Sequence, residues 1–242
     1  MRAVICGANG AMGTLLQKAL GSEAIGLVSL EGQNGAVPSF SQLTVSAPDV
    51  VIDFSHHSAT GDVVAYALES RCALVIGTTG HTGEEKRQIE QAAQTIPVFY
   101  SYNMSLGIAV LCRLAKQAAQ SFPDADIEIV EIHHNRKADA PSGTAHMLFD
   151  AVQQVRPEAS AHCGRTGEGK RQAGEIGISS LRMGAIVGIH EVHIATATQT
   201  LTLRHEARDR AMFADGTVEA ARFLLGKRPG LYTMNDLLEE SL

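Results

Sequence analysis

The sequence predicts an α/β fold, a Rossmann-like doubly wound parallel sheet joined to a second α+β domain that carries an open mixed sheet. Three observations lead there. Short β-branched apolar runs alternate with amphipathic helical stretches through the N-terminal part of the chain, the sequence form of βαβ units. A glycine loop, GANGAMG, follows the first of these runs directly and opens a helix. Beyond Phe122 the rhythm changes to longer runs in which apolar and polar residues alternate, as in a mixed or antiparallel sheet.

Taken in order, Ala3 to Cys6 is an apolar strand, and Met12, Leu15, Leu16, Ala19 and Leu20 form one face of the helix after it. Between them Gly7 allows a tight turn, Gly10 lets the backbone approach a pyrophosphate, and Gly13 allows close helix packing. The spacing is GxxGxxG, a variant of the usual dinucleotide fingerprint. The next strand, Ile25 to Leu30, delivers Glu31 to where an acid accepts hydrogen bonds from an adenine-side ribose. GQNGAV follows, with no Arg or Lys to meet a 2′-phosphate, which favours NADH over NADPH. Asp49 to Phe54 is a buried strand, and SHHSATGDVVAYALES is a capped helix whose His56 and His57 could line the cofactor cleft but read better as solvated loop residues. Ala73 to Ile76 is a strand running into GTTG, a charged helix reaches Gln94, and Pro97 to Tyr100 is a strand leading into SYNMSLG. Ligands of such sheets sit beyond the carboxyl ends of the strands, which is where GANGAMG, GTT and SYNM fall.

A helix from Ser105 to Phe122 leads to the densest stretch of chemistry, IEIVEIHHNRKADAPSGTAHML from Ile127 to Leu148. Ile127, Ile129, Val130 and Ile132 mark a strand ending at the histidines, and apolar positions recur at helical spacing from Thr144. Pro141 cannot continue a strand, Ser142 is a good helix cap, and Gly143 lets a ligand approach the backbone. A helix start of this kind favours anions through its first amides and its dipole. With Lys137 and two histidines beside it, the stretch reads as a site for a small molecule bearing carboxylate or phosphate. Neighbouring strand residues face opposite ways, so His133 and His134 take different jobs unless the strand ends between them. One aims at the reacting centre and the other at an anionic group.

CGRTGEGKRQAGE, from Cys163 to Glu175, reads as a mobile loop. Ile176 to Met183, Ile186 to Thr196 and Thr200 to Glu206 are strands of a sheet with one free face, a natural oligomer interface. A last helix, ADGTVEAARFLLGKRPG, is closed by glycine and proline, and LYTMNDLL packs back on the first domain. The domain division is therefore 1–104 plus 211–242 for dinucleotide binding, and 105–210 for substrate binding and oligomerisation. Arg210, at the crossover, fits either a group reaching the site or a surface ion pair.

Composition limits the partners. Of 242 residues 45% are hydrophobic and 19% charged, and the net charge of −6 with no basic stripe argues against nucleic acid. The start MRAVICGANG enters a strand without a secretory pattern, and no apolar run reaches the roughly eighteen residues that span a membrane, so a cytoplasmic location is expected. Cys6, Cys72, Cys112 and Cys163 are scattered, outside any metal-ligand spacing, and read as reduced and structural. Ten histidines include no HExxH set; His190 and His193 alternate with apolar residues and read as the polar face of a strand, and no metal site is expected.

At EIHHNRKADAPSGTA, together with GANGAMG, VIDFS, VIGTTG, SYNMSLGI, SLRMGAIVGIHEV and RHEARDRAMFADG, the chain resembles the dihydrodipicolinate reductase family of bacterial lysine and diaminopimelate biosynthesis over nearly its whole length. The resemblance implies that His133 is the acid/base residue and Lys137 a proton donor, with His134, Gly143 and Thr144 holding substrate carboxylates. It makes Gly7, Ala8, Asn9, Gly10, Ala11 and Met12 cofactor contacts, together with Gly77, Thr78 and Thr79. Ser101, Tyr102, Asn103 and Met104 join them, and a homotetramer built on the second domain's sheet is implied. Three departures stand out. Ala11 replaces a frequent basic residue, Met104 a frequent phenylalanine, and the loop after Glu31 is short. The first and third weigh against NADPH; the second changes packing near the nicotinamide without abolishing binding, since Met fills similar space.

The implied reaction resembles hydride delivery from NADH or NADPH to a conjugated cyclic imine carrying two carboxylates, followed by protonation of the enamine. Two rival readings are weaker. A semialdehyde dehydrogenase needs an activated cysteine in the cleft, and none of the four lies near a motif. A non-catalytic dinucleotide-sensing regulator predicts a basic recognition helix or a large apolar patch in place of HHNRK.

Overall fold

The computed structural model describes residues 1–240. The chain opens with β1 (Ala3–Cys6), α1 (Ala11–Leu20), β2 (Ala24–Val28), β3 (Val50–Asp53), α2 (Thr60–Ser70), β4 (Ala73–Ile76), α3 (Gly83–Ala92) and β5 (Pro97–Tyr100). It continues through α4 (Leu106–Ser121), β6 (Asp126–His133), α5 (Gly143–Gln153), β7 (Ser160–Cys163), β8 (Glu175–Arg182), β9 (Gly188–Ala195) and β10 (Thr200–Ala207). It closes with α6 (Ala211–Leu224), β11 (Gly230–Tyr232) and α7 (Met234–Glu240). Two compact units result, one of Met1–Leu106 with the chain from Ala211 onward, the other Gly107–Arg210.

Every residue of β1, β3 and β4 is buried, as central parallel strands require when helices cover both faces. The first unit's sheet has the order β11-β5-β4-β3-β1-β2, with every pairing parallel. Strand order reverses at β1, which has β2 on one side and β3 on the other. The loop leaving β1 therefore sits at the switch point of a Rossmann-like sheet.

The second unit holds a mixed sheet of order β10-β9-β6-β8-β7, in which β6 runs antiparallel to β9 and parallel to β8. Ile127, Ile129, Ile176, Ile178, Val192 and Ile194 turn one face of it onto Ile108, Leu111, Leu148 and Val152 of α4 and α5. On the other face Val130 and Ile132 remain half-buried, and Leu181 and Met183 are exposed.

Four details depart from expectation. β2 ends at Val28, not Leu30, because the Gly32 amide turns back onto the Ser29 carbonyl (2.9 Å) with Gly32 at φ +57°, leaving Leu30 exposed. β7 was hidden because all four of its residues are exposed and carry no alternation; its parallel ladder with β8 is what makes it a strand. β11 is three residues long, too short for a pattern to show, and extends the first sheet beside β5. The glycine-rich passage from Cys163 to Glu175 is tethered: Arg171 donates to Asp126 Oδ1 and the Ile127 carbonyl, both at 2.9 Å, and pairs with Glu128, while Arg165 pairs with Glu175. Among the described residues no helix is long and apolar enough to cross a membrane.

Candidate active site

In the first unit the turn after β1 is shaped by backbone. Gly7 sits at φ +80°, and the amides of Gly7 and Ala8 both donate to the Val28 carbonyl at 2.9 and 3.1 Å. A Cβ on Gly7 would lie 2.3 Å from the Phe54 carbonyl oxygen, so a side chain is excluded on both counts. Gly10 is exposed and forms the N-cap of α1; no side chain caps it and no acid occupies the first turn. The positive end of the helix dipole is therefore left uncancelled, as an anion site requires. Ala8 is buried, Ala11 exposed and Met12 half-buried, and the Asn9 amide nitrogen is buried without a hydrogen-bond partner. A cavity of about 820 Å³ opens beside the loop, with Gly7, Gly10, Leu30, Glu31 and Tyr66 in its wall. Glu31, Asp62 and Glu69 bring carboxylates to its lining, and neither Lys nor Arg is among the lining residues.

Gly77, Thr78 and Thr79 follow β4, and Ser101 to Met104 follow β5, so these turns share the carboxyl edge of the sheet with the β1 turn. The Thr78 hydroxyl points inward and donates to Asp53 Oδ2 (2.7 Å), a carboxylate that also receives the amide and hydroxyl of Ser55. Thr79 is exposed. Ser101 Oγ donates to the Asn103 carbonyl (2.7 Å), and the Asn103 side chain accepts from the Ser105 amide (2.8 Å), which makes a self-bonded turn. Tyr102 is exposed and Met104 is buried.

In the second unit β6 ends between the two histidines, so strand parity does not force them apart. His133 is buried on the helix-covered face, together with Glu131 two residues earlier. His134 is half-buried, and its Nδ1 is sequestered without a partner. Lys137 Nζ is held by Asp139 at 2.7 and 2.8 Å. Ser142 is the N-cap of α5, with its Oγ accepting from the Ala145 amide (3.2 Å). Gly143 is exposed, with nothing within 4 Å of where a Cβ would stand, and Thr144 follows in the same first turn, which contains no acid. Arg210 is exposed.

Under this surface lies a polar network. Glu131 accepts from both terminal nitrogens of Arg182 (2.7 and 2.9 Å), from His133 Nδ1 (2.5 Å) and from the Ser142 amide (3.1 Å). His190 Nε2 meets Ser142 Oγ at 3.1 Å, and its ring stands edge-on to His133 at 5.1 Å. Burial opposes a charge on Glu131, but hydrogen bonds from Arg182, Ser180 and His133 outweigh it and hold the carboxyl at about 2. Burial lowers the proton affinity of His133 against the raising effect of Glu131, with Lys137 and Arg182 adding to the lowering. Burial, then His133, push His190 down to about 4. Among the described residues no group of three or more His, Cys, Asp or Glu side chains has the arrangement of a metal site.

Residues 1–104 match the family described as "Dihydrodipicolinate reductase, N-terminus" and residues 107–238 its "C-terminus" counterpart. The chain belongs to the dihydrodipicolinate reductase family. It is 44% identical, over 99% of both chains, to the 4-hydroxy-tetrahydrodipicolinate reductase of Caldanaerobacter subterraneus subsp. tengcongensis, and 39% identical over the full length of both to that of Methanospirillum hungatei. A dipicolinate-bound dihydrodipicolinate reductase from Paenisporosarcina sp. TG-14 shares the fold, with a TM-score of 0.79 at 24% identity over 97% of this chain and 98% of that one.

For this member of the dihydrodipicolinate reductase family, the structure brings His133, His134, Lys137, Gly143 and Thr144 to one strand end, turn and helix start. It gathers the three glycine-bearing or polar turns of the first unit at one sheet edge. Several residues were not anticipated. Glu131 looked like one of the acids interleaved on a strand and His190 like a polar-face residue, while Arg182 stood out in no pattern; the β6–β8 and β6–β9 registers, which pair His133 with Arg182 and Glu131 with His190, carry the missing signal. His81 was likewise unremarked, although its Nδ1 lies 3.0 Å from the Tyr100 hydroxyl at the ends of β4 and β5.

Proposed function

We propose that the protein reduces 4-hydroxy-tetrahydrodipicolinate to tetrahydrodipicolinate with a reduced nicotinamide cofactor, in the cytoplasm, as a step of lysine and diaminopimelate biosynthesis. One observation carries this: a buried imidazole, an ammonium and an uncapped-by-acid helix start are held together at residues 133–144, in a chain 44% identical to a named reductase. The residues of the first unit fit a dinucleotide. The Gly7–Gly10 turn offers a cradle whose first glycine admits no side chain, Asn9 has an orphaned buried amide nitrogen, and the cavity is of ligand size. Gly7 to Met12, Gly77 to Thr79 and Ser101 to Met104 would hold the cofactor, with Glu31 on the adenine-side ribose. When bound, the nicotinamide supplies the hydride.

The chain's own task is to bind a dianion and place one proton. His134 and the amides of Gly143 and Thr144 take the carboxylates, favoured by the dipole of α5. Lys137 gives up Asp139 for a substrate carboxylate and serves as a proton donor, and His133 supplies acid/base chemistry. His133→Gln and Lys137→Ala are each expected to lower turnover about a hundredfold with cofactor affinity unchanged within a fewfold. Nicotinamide absorbance followed with freshly generated substrate reads this out, and undiminished turnover in both would remove the assignment.

NADH is the preferred cofactor in this proposal. A 2′-phosphate in the cavity beside Leu30 and Glu31 would meet carboxylates and neither Lys nor Arg from the lining, and repulsion of that kind corresponds to about tenfold in kcat/KM. The half-covered face of the second sheet, with Val130, Ile132, Leu181 and Met183, supports a homotetramer, to be measured by light scattering.

A further inference from the structure

We propose that Glu131 is the positioning residue of this site: its carboxylate fixes the tautomer and ring orientation of His133 and locks the start of α5 to the same point. The proposal rests on His133 being the proton-transfer group.

Strand parity places Glu131 and His133 on one face of β6, and the side chain of Glu131 is fully buried. Neighbouring strands complete the surroundings by register, Arg182 lying opposite His133 on β8 and His190 opposite Glu131 on β9. Oε1 accepts from Arg182 and the Ser142 amide and Oε2 from Arg182 and His133 Nδ1, with Ser180 hydrogen-bonded to the same carboxylate. An ionised carboxylate only accepts, so His133 must carry its proton on Nδ1 and leave Nε2 as the working nitrogen. That nitrogen lies 3.1 Å from where a Cβ on Gly188 would stand, and the residue there has none. The other groups facing the ring are His190 from β9, with His205 of β10 acting on His190, and Lys137 and Arg182 from the turn and β8; Asp139 meets Lys137 and Arg182 rather than the ring. Among the described residues Glu131 is the one anion in direct contact with the imidazole, set against the cations Lys137 and Arg182. Removing its charge leaves both tautomers open and lowers the ring's affinity for a proton. Because the same carboxylate holds the Ser142 amide, the imidazole and the carboxylate-binding helix start keep a fixed separation.

The test is Glu131→Gln. Glutamine keeps the shape but brings a donor into a position surrounded by donors. Turnover is expected to fall about thirtyfold with the KM for NADH unchanged, and the alkaline limb of kcat/KM to move about one pH unit lower. A purely structural role would not move that limb. Should Glu131→Gln fail to fold, nitrogen-15 NMR of the imidazoles in the wild-type protein decides alone: His133 must be the Nδ1–H form at neutral pH, and a dominant Nε2–H form overturns the proposal. His133→Gln run in parallel separates the two ideas. If it turns over normally, the role of His133 itself fails; if it is impaired while Glu131→Gln keeps wild-type turnover and pH limb, only the positioning role fails.

Discussion

The two units build their sites from different materials. In the first, selectivity lies in the backbone: a glycine that tolerates no Cβ, an uncapped helix start, and turns bonded to themselves. In the second it lies in side-chain charge, with a buried carboxylate holding an imidazole, a guanidinium and a helix cap. A site made of backbone is broken by adding atoms. One made of buried charge is broken by taking a partner away, because the charge left behind has neither water nor counter-ion.

The largest effect should come from Arg182→Leu. It strips the fully buried Glu131 of both guanidinium contacts and the Asp139 and Leu181 carbonyls of a donor, and about 3–5 kcal/mol of stability should be lost. Urea unfolding measures this, and adding Glu131→Gln to the variant should recover part of the loss. A cost near zero would mean that the pair is not desolvated, and the contrast between the units would dissolve.

Next in size is a glycine comparison across the two sites. Gly7→Ala combines a left-handed φ with a Cβ driven into the Phe54 carbonyl, and should cost roughly 2–4 kcal/mol. Gly143→Ala has open space and a helical first-turn position, so stability should stay level or rise by up to about 1 kcal/mol. In the proposed site the same methyl would stand where a substrate carboxylate approaches, and the KM for substrate should rise. Thermal melts and initial rates on the two variants separate a glycine the fold needs from one the ligand needs.

Acid should also distinguish the units. Burial lowers the proton affinity of His81 in the first unit and of His133, His190 and His205 in the second. For His190, held at about 4, the unfolded chain takes a proton near the ordinary 6.5 while the folded one resists. Stability therefore falls as pH drops through 6.5 and the loss from this group is complete near 4, on the order of 3 kcal/mol. Glu131 works lower: its contribution is present above the ordinary 4.5 and disappears as pH falls toward about 2. Hydrogen exchange of β6, β8 and β9 between neutral pH and about pH 5 should show the second unit opening first, and His190→Gln should flatten the dependence.

How much of this was legible in the sequence follows the same division. The glycine turn after β1, the strand ends at Gly77 and Ser101, and the HHNRKADAPSGT stretch are local patterns, and local patterns survive in one dimension. Glu131, Arg182 and His190 meet only through strand register across separations of 51 residues and more, and each alone resembles an ordinary polar position on a strand. The end of β2 was missed because a glycine at positive φ, not hydrophobicity, stops it. β7 was missed because hydrogen bonding alone defines it.

The smallest effect returns to a guanidinium on a carboxylate, this time on the surface of the first unit. Arg87 and Glu84 pair one turn apart on α3, both largely exposed. Water already solvates each partner, the side chains lose freedom on pairing, and salt screens what remains. Arg87→Ala should therefore change stability by no more than about 0.5 kcal/mol, with less change still at high salt. Set beside Arg182→Leu in the same urea titration, it compares a guanidinium–carboxylate pair in water with one whose carboxylate is fully buried. If the two variants cost alike, burial is not what gives the Glu131 network its strength, and the charge-built character assigned to the second unit is wrong.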